Sequence, residues 1–229
     1  MQFEYPPRRL LRGVPLSRLA LAGAVLVTGV IAGAAWIVSL GPLPIEAVAE
    51  RSVIVTDRND RLLRAYATYV TSLGATHGAH ERREARNAAR VARANAEAAL
   101  ARLLAEPATP DSPAELAQSL LSNSNRLART AMTLDAARNT PPLRPWESLQ
   151  PLLVQGAGTL EEIATAVAKN AAPTCISPQL RATQRDLARK LSAAGDGGID
   201  AELATLSDRL ADNINTLAHV VARARATAT

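Results

Sequence analysis

Four arginines recur at helical spacing in the middle of the chain and suggest a binding surface. Arg82, Arg86, Arg90 and Arg93 follow one another by four, four and three residues, so on a helix they share one face. Residues 82–102 contain six arginines and two glutamates, a local charge of +4. Because guanidinium groups bind carboxylates and phosphates bidentately, this face could hold an aromatic acid, anionic lipid headgroups or an acidic partner. The alternative is a solvated helix face without a ligand.

Residues that could support catalysis or bind a metal are sparse. His77 and His80 could place two imidazoles at i, i+3, but zinc requires three or four ligands and no third one is evident. Cys175 is the single cysteine, and no paired histidine is evident that would activate its thiol. Neither lysine, Lys169 or Lys190, follows a serine by three residues, so the serine–lysine pair of a transpeptidase is missing. We therefore expect no enzyme activity, no cofactor and no bound metal.

The net charge of +5 does not indicate a nucleic-acid partner. The first 18 residues contain four arginines and one glutamate, which leaves +2 for the remaining 211 residues. A nucleic-acid-binding domain needs a concentrated basic surface to neutralise phosphates. We expect the positive charge near the N-terminus to act at a membrane instead.

Residues 19–40 form an uncharged stretch of 22 residues. As a helix it would be about 33 Å long, enough to cross a hydrocarbon core of roughly 30 Å. Arginines precede it and the first charges after it are Glu46 and Glu50, so the positive-inside bias predicts a cytoplasmic N-terminus. The sequence thus predicts a single-pass protein of the bacterial inner membrane whose bulk is extracytoplasmic. The alternative is a cleaved signal peptide with its cleavage site at 47–49.

Composition and chain breaks after this segment favour helices. Aromatic residues make up only 3% of the chain, whereas β-sheets are enriched in aromatic and β-branched residues. Proline- and glycine-rich breaks separate segments of helical length that run from about 81 to 106, 112 to 134, 151 to 172, 177 to 191 and 199 to 221. The last segment has the clearest amphipathic pattern, with apolar residues three and four apart, as is typical of helix bundles. This series is Ile199, Leu203, Leu206, Leu210, Ile214, Leu217 and Val221.

The interval 51–70 supports two interpretations. Residues 52–56 are rich in β-branched side chains and precede a turn-like Asp-Arg-Asn-Asp string, which indicates a strand. Leu62, Tyr66, Tyr69 and Leu73 are instead spaced as one face of a helix. We predict a short strand at 52–56 and a helix from about residue 60.

These observations predict an all-α fold in which one N-terminal transmembrane helix is followed by an antiparallel bundle of four to five amphipathic helices. The predicted organisation is a basic cytoplasmic tail (1–18), a transmembrane anchor (19–40), a juxtamembrane linker (41–60) and a helical domain (61–229).

Two parts of the chain resemble different protein families. Residues 1–67, through the arginine-flanked anchor, Pro42-Leu-Pro44 and the string at 52–64, resemble the N-terminal anchor of a C-type class A penicillin-binding protein. Residues 61–229 resemble the soluble helical region of the fusaric acid resistance (FUSC) family of inner-membrane efflux proteins. The strings that carry the second resemblance lie at 61–69, 90–98, 106–107, 180–184 and 212–217.

The FUSC resemblance implies a non-catalytic helical domain that is an accessory or regulatory part of aromatic acid (fusaric acid) efflux. In that family the helical region is cytoplasmic and attached to a multi-span membrane bundle, whereas the single anchor predicted here directs it outward. The expected partners are the lipid bilayer and either a membrane transporter subunit or a second copy of the chain. The alternatives are a truncated murein synthase or gene fusion without catalytic activity, and an extracytoplasmic sensor bundle.

Overall fold

A computed structural model describes residues 45–74, 78–105, 111–138, 146–174, 178–193 and 199–227. These ranges form six α-helices and one short 3-10 helix, with no strand among them, so the all-α prediction is confirmed for the part of the chain described. The predicted number of four to five bundle helices is too low, because the helix that begins at Ile45 also packs into the core. The predicted tail at 1–18 and anchor at 19–40 lie outside these residues. Among the described helices, none has the length and apolar character needed to cross a bilayer.

The helices are α1 (Ile45–Ser72), α2 (Ala79–Leu104), α3 (Asp111–Arg138), α4 (Gln150–Ala168), α5 (Pro178–Ala193) and α6 (Ile199–Ala226), and the 3-10 helix is Trp146–Leu149. Five of the six α-helices, α2 to α6, begin within two residues of the start of a predicted segment. These starts lie at the glycine and proline residues that interrupt the helical pattern. The periodicity of the sequence therefore located most of the elements.

The predicted strand at 52–56 is wrong, because α1 runs through this segment without a break. Val55 and Asn59 are buried and extend the inward face formed by Leu62 and Tyr66, so packing outweighs the β-propensity of this string. The acidic residues that suggested a turn instead form i, i+4 ion pairs, in which Arg61 contacts Asp57 at 3.1 Å and Arg64 contacts Asp60 at 3.0 Å. Part of the predicted linker at 41–60 is thus helical.

The amphipathic series in α6 is confirmed as a core-facing stripe. The members whose burial is described, Leu203, Leu206, Leu210, Ile214, Leu217 and Val221, are at most 5% exposed. Helix α6 packs against α3, α4 and α5. Its neighbour α3 is antiparallel to it, because Asn213 donates a hydrogen bond to Thr130 while residues 115–123 line a groove with 220–227.

Helix α1 is integrated into the same core. Leu62, Leu63 and Val70 are fully buried, and Arg64 forms an ion pair with Glu161 of α4 at 2.6 Å. At its C-terminal end, Arg138 of α3 donates hydrogen bonds to the carbonyl oxygens of residues 73 and 74 at 2.8 and 2.6 Å. A cation at this position satisfies carbonyl groups that the helix leaves without intrahelical partners.

Candidate functional site

The predicted arginine face begins inside the bundle. Arg82 is buried, and its Nε donates a hydrogen bond to Oδ1 of Asp135 on α3 at 3.0 Å. The half-exposed Arg86 approaches the second carboxylate oxygen, Oδ2, at 3.6 Å. Both arginines therefore join α2 to α3, and Arg82 is not accessible to an external ligand.

The other two predicted residues lie further along α2. Arg93 is half-exposed and its Nε pairs with Glu97 at 3.1 Å. Burial raises the pKa of the neighbouring Tyr66, and the positive charge of Arg93 partly offsets this increase. Arg90 is exposed. The structure therefore brings Arg82 and Arg86 together at one carboxylate but leaves Arg90 and Arg93 on the surface.

The environment of Asp135 is a closed polar cluster, which we define as Tyr69, Arg82, Arg86, Asp135 and Arg138. Burial raises the pKa of Tyr69, and the negative charge of Asp135 raises it further. Burial lowers the pKa of Arg138, as does the positive charge of Arg82. Two guanidinium groups, those of Arg82 and Arg86, contact the buried carboxylate, and Arg138 beside them bonds to the end of α1. The cluster therefore joins α1, α2 and α3.

Asp135 is the residue that sequence reasoning missed. It follows Leu127 and Ala131 by eight and four residues, so it lies on the buried side of α3 with them. A carboxylate on the apolar side of a helix requires a partner. The position of Asp135 in the helical pattern therefore indicated, from sequence alone, that its side chain is paired in the interior. The identity of the partner depends on how α2 packs against α3.

The accessible positive charge of α2 lies on its outer side. Arg83, Arg90 and Arg102 are exposed, and Val91 between them is 61% exposed. None of these three arginines forms an ion pair within the described ranges. We call this surface, defined by Arg83, Arg90, Val91 and Arg102, the outer face of α2.

The histidines, the cysteine and the lysines of the sequence analysis do not form a site in the described part of the chain. His77 and Cys175 lie outside the described residues, and the exposed His80 has its Nδ1 at 3.4 Å from Glu84. No group of three potential metal ligands occurs in the described part of the chain. Both lysines, Lys169 and Lys190, are exposed.

No known protein family, curated protein or solved structure matches this chain. The described residues define an all-α helical bundle with a buried polar cluster between α1, α2 and α3. The outer face of α2 is one accessible cationic surface of the described bundle.

Proposed function

We propose that this chain is a membrane-anchored, non-catalytic helical domain that is an accessory or regulatory part of FUSC-type efflux of aromatic acids such as fusaric acid. The observation that carries the proposal is the exposure of Arg83, Arg90 and Arg102 on a helix whose opposite side is fixed to the bundle. Such a rigid cationic surface can bind an acidic surface of a transporter or anionic lipid headgroups.

The anchor at 19–40 would restrict the bundle to the membrane surface, where a membrane-embedded partner is available. One transmembrane helix cannot enclose a polar pathway, so the transport step belongs to the partner. The bundle would act by packing against that partner. Its location outside the cytoplasm follows from the positive-inside bias of the N-terminal arginines.

The test is fusaric acid tolerance of the host bacterium after deletion of the gene. We expect deletion to lower tolerance and the unaltered chain to restore it. A double variant, Arg90→Glu with Arg102→Glu, should fail to restore tolerance because it reverses charge on the outer face of α2. The matched control, Arg185→Glu with Arg189→Glu, alters exposed arginines of α5 and should restore it.

Membrane abundance of each variant is measured by immunoblotting, so that a loss of protein is not mistaken for a loss of function. Unchanged tolerance in the deletion strain would contradict the efflux role. Restoration by the α2 double variant would show that the outer face of α2 is not the contact surface.

A further inference from the structure

A cavity of about 410 Å³ lies where α1, α3, α4 and α6 meet, away from the outer face of α2. Its apolar wall includes Val55, Leu116, Leu120 and Val167. Every apolar side chain that lines it within the described residues is aliphatic or proline. The volume lies in the range of small-molecule sites.

Two polar groups in this wall are buried without a partner. Asn59 is 4% exposed, and its Oδ1 accepts no hydrogen bond from the described residues. Arg225, near the end of α6, has an enclosed Nε–H that meets no acceptor in the same residues. Burial lowers the pKa of this guanidinium. Buried polar groups in folded proteins are almost always hydrogen-bonded, so two unpaired groups at one cavity require an explanation.

The backbone near these groups is held in a defined conformation. Asn170 follows α4 with a φ of 53°, and the amide of residue 171 donates a 2.9 Å hydrogen bond to the carbonyl oxygen of residue 166. This is the geometry of a helix C-terminal cap, in which asparagine tolerates the left-handed conformation. Asn170 lines the cavity, so this residue of the wall has a fixed backbone conformation.

We propose that the cavity binds an aliphatic carboxylic acid that carries a hydroxyl group. On binding, the side chains of Arg225 and Asn59 would rotate so that Nε donates a hydrogen bond to the carboxylate and Oδ1 accepts one from the hydroxyl. The hydrocarbon would contact Val55, Leu120 and Val167. A guanidinium group is the side chain best suited to a carboxylate. This inference does not depend on the proposed efflux role, because it concerns a different surface of the bundle.

The test is equilibrium dialysis of 3-hydroxydecanoate against the full-length chain in lipid nanodiscs, with binding to empty nanodiscs subtracted. We expect saturable binding of about one molecule per chain. Decanoate lacks the hydroxyl and 1-decanol lacks the carboxylate, so both should bind more weakly. A charge-assisted hydrogen bond corresponds to about tenfold or more in affinity.

Variants connect the binding to the two unpaired groups. Arg225→Leu should weaken binding of 3-hydroxydecanoate at least about tenfold, whereas the control Arg223→Leu, at an exposed position two residues away on α6, should leave it unchanged. Asn59→Leu should abolish the preference for 3-hydroxydecanoate over decanoate. Circular dichroism identifies any variant that does not fold.

The proposal is overturned by an absence of saturable binding, by 1-decanol binding as tightly as the acid, or by Arg225→Leu binding like the unaltered chain. If Asn59→Leu does not fold, the Arg225 and Arg223 variants still decide the outcome.

Discussion

At the scale of single residues, Asp135 and Arg82 show why the charge of α2 cannot be interpreted from helical spacing alone. Spacing places Arg82 in series with Arg86, Arg90 and Arg93, and that series is present on α2. The side chain of Arg82 nevertheless is only 8% exposed and contacts a carboxylate that is 53 residues away in sequence. Its accessibility depends on the packing of α2 against α3, which periodicity does not specify.

Removing the carboxylate of Asp135 should destabilise the protein strongly. Asp135→Ala removes the buried carboxylate that Arg82 contacts, and breaking a buried ion pair typically costs about 3–5 kcal/mol in the free energy of unfolding. The control is Asp186→Ala, since the Asp186–Arg189 ion pair is exposed and such pairs contribute about 0–1 kcal/mol. Both are measured by urea unfolding followed by circular dichroism. Equal effects of the two substitutions would contradict a stabilising role of the buried pair.

The two buried tyrosines predict a loss of stability at alkaline pH. Burial raises the pKa of Tyr66 and Tyr69 above the ordinary value of 10.0, so above pH 10 the unfolded chain releases phenolic protons that the folded chain retains. The stabilising contribution is therefore complete below pH 10 and is lost as pH rises through the folded-state pKa values, at up to about 1.4 kcal/mol per pH unit for each tyrosine.

The measurement is the free energy of unfolding between pH 8 and pH 12. The control is the double variant Tyr66→Phe with Tyr69→Phe, which has no titrating group at these positions and should show a flatter dependence. If the free energy of unfolding of this double variant declines as steeply with pH, titrating groups other than Tyr66 and Tyr69 cause the loss of stability.

At the scale of elements, α1 shows where local sequence preference fails. The β-branched string at 52–56 favours a strand in isolation, but the spacing of Val55, Asn59, Leu62 and Tyr66 continues one helical face. The same helix includes residues 61–67, where the segments that resemble the two families overlap, so this stretch is a single element of the bundle. The decisive information was the spacing of the buried residues from Val55 to Leu73, about five helical turns and thus a longer range than the string itself.

Substitution of Val53 by alanine changes the free energy of unfolding in opposite directions in a helix and in a strand, so it distinguishes the two structures. Val53 is 67% exposed, so the change reports mainly on backbone preference. Val53→Ala should leave the free energy of unfolding unchanged or raise it by about 0.5 kcal/mol, because alanine is the better helix former. In a strand the same change would be destabilising. A clear decrease in stability on urea unfolding would contradict the helical assignment of 52–56.

The two glycines of α4 at positions 156 and 158 provide a matched test of its packing. A Cβ added at Gly158 meets nothing within 4 Å, whereas one at Gly156 would lie 2.9 Å from Cδ1 of Ile214. Gly158→Ala should therefore raise the free energy of unfolding by about 0.5–1 kcal/mol through helix propensity. Gly156→Ala should raise the free energy of unfolding by less than this, or lower it, because the side chain of Ile214 must move to make room for the new Cβ. Equal gains would show that α4 and α6 are not in close contact at this point.

At the scale of the whole molecule, the helical bundle could be predicted from the sequence to a large extent. The apolar stripe of α6 and the proline and glycine breaks located most of the helices, because amphipathic periodicity reflects burial directly. The cavity at Asn59 and Arg225 could not be predicted, since its groups come from α1 and α6 at opposite ends of the described chain. A site of this kind exists only after four helices have packed.

We propose that residues 19–40 anchor this bundle outside the cytoplasm. Two reporters fused after Thr229 of the full-length chain test this location. Alkaline phosphatase is active only outside the cytoplasm. Green fluorescent protein fluoresces in the cytoplasm and does not fluoresce after export by the general secretion route. We expect high phosphatase activity and no fluorescence, with both fusions in the membrane fraction. Fluorescence without phosphatase activity, or recovery of the fusions free of the membrane, would contradict it.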